Sequence, residues 1–174
     1  MKNLIICGLV GTGKTTIAKK ICEELNYEYI DLYDKINGKI DTKDKENASK
    51  LLAKDINKYL MNVIDNKCII DCDYLILPNE FYNCDAKVNY NIIYLGFNNV
   101  DVELLFNKFS DDYKKKNITY DSEKLRKQIE YFKYISNKVY LDCKKYNYKY
   151  FDLDKEKSLV IDEIMNFIYS IMDK

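Results

Sequence analysis

The stretch Asn3-Leu-Ile-Ile-Cys7-Gly8-Leu-Val-Gly11-Thr12-Gly13-Lys14-Thr15-Thr16 decides how this chain is read. Asn3–Cys7 is a short, continuous apolar run, as expected of a strand buried on both faces. Gly8 through Thr15 then spells GxxxxGK[ST]. Of the five glycines in 174 residues, three fall inside Gly8–Gly13. At this composition a chance match anywhere in the chain is on the order of one in a thousand. Ile17, Ile21, Cys22 and Leu25 follow at helical spacing and predict an amphipathic helix. A buried strand, a glycine bend and a helix N-terminus together make a phosphate cradle. Glycines let successive N–H groups turn toward an anion, and the helix dipole favours negative charge at the same point.

Each residue of the cradle has an expected task. Gly8, Gly11, Thr12 and Gly13 shape the bend, and Lys14 supplies a cation for β- and γ-phosphates. Thr15 offers a hydroxyl to Mg2+, and Thr16 is placed to reach an α-phosphate. ATP and Mg2+ are therefore the expected cofactors.

Outward from this motif, strands alternate with helices. Strands are predicted at Tyr27–Leu32, Lys67–Cys72, Asn89–Leu95 and Tyr148–Leu153. Helices are predicted over Asp41–Asp65, from a cap at Asn98, with Asp101 three residues on, to about Phe109, from a cap at Asp121 through Cys143, and over about Lys155–Met172. Ser110–Tyr120 is polar and lacks periodicity, so an exposed loop is expected there. Pro78 is expected in a connection. The pattern implies one α/β domain over residues 1–174, with a parallel sheet and helices on both faces.

Composition narrows the function. Lys plus Arg is 28 and Asp plus Glu is 28, so no basic excess points to nucleic acid or a membrane surface. No apolar run approaches the ~18 residues of a membrane span, and a cytoplasmic location is expected. With no histidine, an imidazole base and a His-ligated metal are both excluded. The six cysteines lack CxxC spacing and read as buried thiols. The Asn-Lys pairs at Asn66, Asn107 and Asn137 are followed by Ile69, Ser110 and Tyr140, where a guanine-reading aspartate would be needed. That disfavours a GTPase. A single arginine, Arg126, disfavours a motor ATPase built on arginine fingers.

The order of elements resembles the nucleoside-monophosphate-kinase-like branch of the P-loop kinases, which includes adenylate, shikimate and thymidylate kinases. The resemblance implies a three-layer fold with strand order 2-3-1-4-5 and a short lid, here at about residues 110–120. It also implies phosphoryl transfer from ATP to a small-molecule acceptor, with a nucleoside monophosphate as the first candidate. Asp71, ending the third strand in CIIDC, matches the aspartate that holds the Mg2+ shell. Asp31 and Asp34 follow the second strand, where family members place an acceptor-site carboxylate, but they are spaced DxxD where shikimate kinases have DxD. As an alternative, they cap the next helix. Asp73 is a further candidate for the acceptor or the metal.

Family lids carry arginines that clamp the transferring group. This one has Lys114, Lys115 and Lys116, with Arg126 just beyond. Arg126 is expected either to stabilise the moving charge or to pair with Glu123 or Glu130 on its own helix. The expected catalytic set is Lys14, Asp31, Asp71 and Arg126. Two other readings stay open. One is a nucleotide-binding module that transfers nothing, and the other is a kinase for a non-nucleotide small molecule or a polynucleotide end.

Overall fold

A computed structural model describes residues 3–36, 55–63, 67–72 and 76–172. The elements run β1 (Asn3–Gly8), α1 (Lys14–Leu25), β2 (Glu28–Asp31) and α2 (Leu32–Ile36). Residues 55–62 form helix α3. Then come β3 (Cys68–Cys72), α4 (Pro78–Tyr82), a 3-10 turn over Asp85–Val88 and β4 (Tyr90–Gly96). The chain closes with α5 (Val102–Lys115), α6 (Ser122–Tyr146), β5 (Lys149–Asp152) and α7 (Lys157–Met172). Val63 is a bend beyond the end of α3, and the rest of the helix expected over 41–65 lies outside the described residues, as does Asp73.

All four strand pairings are parallel, as the alternation of elements predicted, and the order is β2-β3-β1-β4-β5, as the resemblance implied. β1 is buried at every position because a neighbour pairs on each edge and helices cover both faces. Leu4 and Ile6 face α1 and α7 and meet Ile17, Ile21, Ile164 and Ile168. Ile5 and Cys7 face the other way, onto a layer that includes Ile56, Leu60, Phe81, Val139 and Cys143. Each such buried aliphatic side chain contributes about 1.5–3 kcal/mol, so this central strand is the anchor of the fold. The connections leaving β1 and β4 run in opposite directions across the sheet. A crevice therefore opens above their C-terminal ends, where ligands of open α/β sheets bind.

Three local expectations are corrected. The polar stretch beginning at Ser110 is not a loop from its start, because α5 continues through Lys115 and Ser110 is buried. Its apolar period runs Leu105, Phe109, Tyr113, and Tyr113 packs on Tyr120 with ring centroids 5.5 Å apart. With no glycine or proline to stop it, the helix ends only at Lys116, and Asn117 turns the chain at φ 53. Asp101, rather than Asn98, caps α5 by accepting from the N–H groups of Glu103 (2.8 Å) and Leu104 (3.2 Å). Pro78 opens α4, where its missing N–H costs nothing, and the Glu80 carboxylate accepts from the Leu77 N–H at 3.1 Å.

Candidate functional site

The loop between β1 and α1 is tied to one carbonyl. Leu9 C=O accepts from the Thr12 N–H (3.3 Å), the Thr12 hydroxyl (2.7 Å) and Lys14 Nζ (3.4 Å). Gly11 and Gly13 both have φ 82, which only glycine adopts without strain. Gly8 is required for a different reason: a Cβ there would lie 2.7 Å from the Leu95 carbonyl oxygen on β4. Gly13 is the N-cap of α1 and supplies no side-chain cap, so the helix opens on backbone N–H groups. Lys14 is 4% exposed, held at the floor of the loop.

Asp71 is the penultimate residue of β3, the strand beside β1, with its side chain on the α1 side of the sheet. It is 1% exposed. Its Oδ2 accepts from the Thr15 hydroxyl at 2.5 Å and from the Tyr29 hydroxyl at 3.2 Å. The structure thus brings together the two residues expected to organise a metal. Two hard oxygen donors beside a phosphate loop fit Mg2+, which takes few protein ligands and keeps phosphate and water for the rest. Among the described residues no group of three or more His, Cys, Asp or Glu forms an all-protein metal cage.

Asp31 lies beside Asp71 in register, two strands from the loop. Its Oδ1 accepts from the N–H groups of Tyr33 (2.9 Å) and Asp34 (3.4 Å), so it caps α2 while standing at the ligand end of the sheet. Both readings of this residue, cap and site, are therefore compatible with its position. Asp34 is exposed on α2.

A cavity of about 470 Å3 opens beside the loop. Gly11, Thr12, Gly13 and Thr16 line one side of it. Lys108 and Asp112 of α5, with Lys116 just beyond, line another, and Leu153, Lys155 and Val160 complete it from the β5–α7 side. Lys108, Asp112 and Lys116 recur every four residues and so share one helix face. The lining carries three lysines against one aspartate, a charge balance that suits a polyphosphate. Lys155 also pairs with Glu163 at 2.5 Å.

Arg126 does not line this cavity. It reaches across to Glu103 at the start of α5, with Nη1 on Oε1 and Nη2 3.2 Å from Oε2, and its guanidinium sits 4.8 Å from the Phe106 ring centroid. That partner is neither Glu123 nor Glu130. The hydrogen bond from Arg126 holds the Glu103 carboxyl below its ordinary range. Of the lid lysines, Lys116 lines the cavity, whereas Lys114 lies 3.4 Å from Asp111.

Four contributors were not expected from sequence: Tyr29, Lys108, Phe109 and Lys155. Lys155 follows a strand at the ligand end of the sheet and could have been found by that rule alone. Phe109 presses on Gly11, since a Cβ there would lie 2.6 Å from its Cζ. Tyr29 is half-buried, and burial, followed by the Asp71 and Asp31 carboxylates, pushes its hydroxyl well above the ordinary tyrosine range.

Residues 4–73, which include the loop and Asp71, match the ATPase family associated with various cellular activities (AAA). The structure resembles shikimate kinase from Bacteroides thetaiotaomicron with a TM-score of 0.59, at 16% identity, over 99% of each chain. Deoxyadenosine kinase from M. mycoides gives 0.54 at 20% identity, covering 97% of this chain and 99% of that one. The chain has the P-loop kinase fold. In sequence, this P-loop kinase-like chain is 26% identical to shikimate kinase from Staphylococcus aureus over 118 residues. That match spans 63% of this chain and 63% of the relative's length. Among the described residues, no helix of the P-loop fold is long and apolar enough to cross a membrane.

Proposed function

We propose that the protein is a Mg2+-ATP-dependent phosphotransferase whose acceptor is a small hydroxyl compound. The observation that carries this reading is the Thr15–Asp71 hydrogen bond of 2.5 Å beside a glycine loop that opens on a lysine-lined cavity. The loop residues Gly8, Gly11, Thr12, Gly13, Lys14, Thr15 and Thr16 hold the triphosphate. Thr15 and Asp71 hold Mg2+, which when bound offsets charge on the phosphate oxygens. Lys14 and Lys116 follow the charge that develops as the γ-phosphoryl leaves. The acceptor oxygen bonds to Pγ, the bond from Pγ to the bridging oxygen breaks, ADP departs, and Asp31 takes the acceptor's proton. Positioning and electrostatics supply most of the rate, so a chain without histidine meets no obstacle.

Two features favour a hydroxyl acceptor over the nucleoside monophosphate expected first. Holding a second phosphate calls for arginine forks, and the only arginine is taken up by Glu103. The end of β2 and the start of α2 carry Asp31 and Asp34, carboxylates that accept from hydroxyls and repel phosphate. The shikimate kinase relatives, whose names specify a non-nucleotide acceptor, agree with this choice.

The test is transfer of label from γ-labelled ATP to shikimate, polyols, nucleosides and nucleoside monophosphates. Mg2+-dependent label in a hydroxyl acceptor is expected. Label in the monophosphates alone would overturn the acceptor class. Retained ATP binding with no label transferred and no ADP formed would replace the kinase with a nucleotide-binding module.

A further inference from the structure

Tyr29 sits two residues before Asp31 on β2, so the two side chains share a face of the sheet. Asp31 is the register partner of Asp71 on β3, which puts the Asp71 carboxylate on that face as well. The Tyr29 hydroxyl reaches Asp71 Oδ2 at 3.2 Å, the same oxygen that accepts from Thr15 at 2.5 Å. The two donors come from different elements: β2 carries one and the first turn of α1 carries the other. Two donors on one carboxylate oxygen restrict its rotation and fix the plane of the group. The ring is held independently, with Lys19 Nζ of α1 5.3 Å from its centroid. A phenyl ring would fill the same space and keep the cation, so only the hydroxyl accounts for the contact to Asp71.

We propose that Tyr29 is a positioning residue that orients the Asp71 carboxylate for metal-nucleotide binding. This rests on the reading in which Thr15 and Asp71 hold Mg2+ beside the loop. Tyr29 touches neither nucleotide nor acceptor in this account and acts only through Asp71. Loss of a hydrogen bond to a charged group is expected to change metal-linked affinity about tenfold.

The test is ADP affinity by calorimetry, with Mg2+ and with EDTA, for wild type and Tyr29→Phe. The ratio of the two affinities measures the coupling of metal to nucleotide. In Tyr29→Phe the Mg2+-ADP affinity is expected to fall about tenfold, with affinity in EDTA within about twofold of wild type. Mn2+ titrated into the ADP complex and followed by its paramagnetic resonance should show the same loss. Tyr29→Leu, which removes ring and hydroxyl together, should lower the thermal midpoint yet give the same ratio as Tyr29→Phe. An unchanged ratio in Tyr29→Phe, or equal losses with and without metal, would overturn the role of Tyr29 and leave the Mg2+ reading standing. Wild-type protein whose ADP affinity ignores Mg2+ would overturn that reading, and the role of Tyr29 with it.

Discussion

Gly11→Ala places a methyl group where the chain has φ 82 and where Phe109 Cζ and Cε1 would lie 2.6 and 2.8 Å from it. Two costs add. A non-glycine residue in the left-handed region loses about 1–2 kcal/mol. Carbon–carbon contacts settle near 3.5–4.0 Å, so the ring must retreat by about 1 Å. Phe109 is 6% exposed, with Phe97 and Phe132 at 6.2 and 5.9 Å between centroids, so its retreat disturbs both contacts. Overpacking of this kind costs about 1–3 kcal/mol. The sum is about 2–5 kcal/mol of folding stability. Phe109→Leu separates the parts, because leucine lacks both offending atoms. In that background Gly11→Ala should cost only the backbone strain, about 1–2 kcal/mol. Urea unfolding followed by far-ultraviolet circular dichroism gives all four corners of the cycle. An equal cost in the two backgrounds would refute the steric contact between α5 and the loop. A total below about 0.5 kcal/mol would refute the strained loop as well.

Arg126→Ala should leave the thermal midpoint within about 2 °C of wild type, since its ion pair is exposed. Turnover should also stay within about threefold, whereas Lys116→Ala should lower it at least tenfold; the reverse ranking would return Arg126 to the reaction centre. Asp121→Ala removes the acceptor for the Glu123 and Lys124 N–H groups at 2.9 and 3.0 Å and should cost about 1 kcal/mol in urea unfolding. Burial pushes the thiols of Cys22 up to about 11 and of Cys68 and Cys143 up to about 12, from 9.0. The folded chain then keeps protons that the unfolded chain releases. The stabilisation is complete below pH 9 and is lost as the pH rises toward 11–12. For three thiols the loss is about 3 kcal/mol between pH 9 and 10. With no histidine, stability should be flat from pH 6 to 8. A urea midpoint that is level from pH 8 to 10.5 would contradict this.

The parts of the fold legible in sequence are those specified by short-range signals. Asn3–Cys7 and Lys67–Cys72 are too apolar and too short for anything but central parallel strands, and both lie within a residue of the observed bounds. Asp121 is read as a cap from type and position and serves as one. The phosphate loop is legible because its glycines are needed for conformation and close approach. Signals that depend on distant neighbours were hidden. Tyr29 reads as an ordinary strand-forming residue, and only the β2–β3 register shows its hydroxyl meeting Asp71. Arg126 finds its partner 23 residues back, across the α5–α6 pair, rather than one turn away. The polarity of Ser110–Lys115 concealed a helix whose inward residues are spaced four apart, with one apolar contact to the turn.

In the proposed function the bend from Gly8 to Thr15 grips a nucleotide's polyphosphate through Lys14. Calorimetric titration of folded wild-type and Lys14→Ala protein with Mg2+-ATP tests it most directly. One saturable site is expected in the wild type and at least a hundredfold weaker binding, about 2.7 kcal/mol, in the variant. No uptake of ATP, GTP or pyrophosphate by the folded wild type, or undiminished affinity after Lys14→Ala, would contradict it.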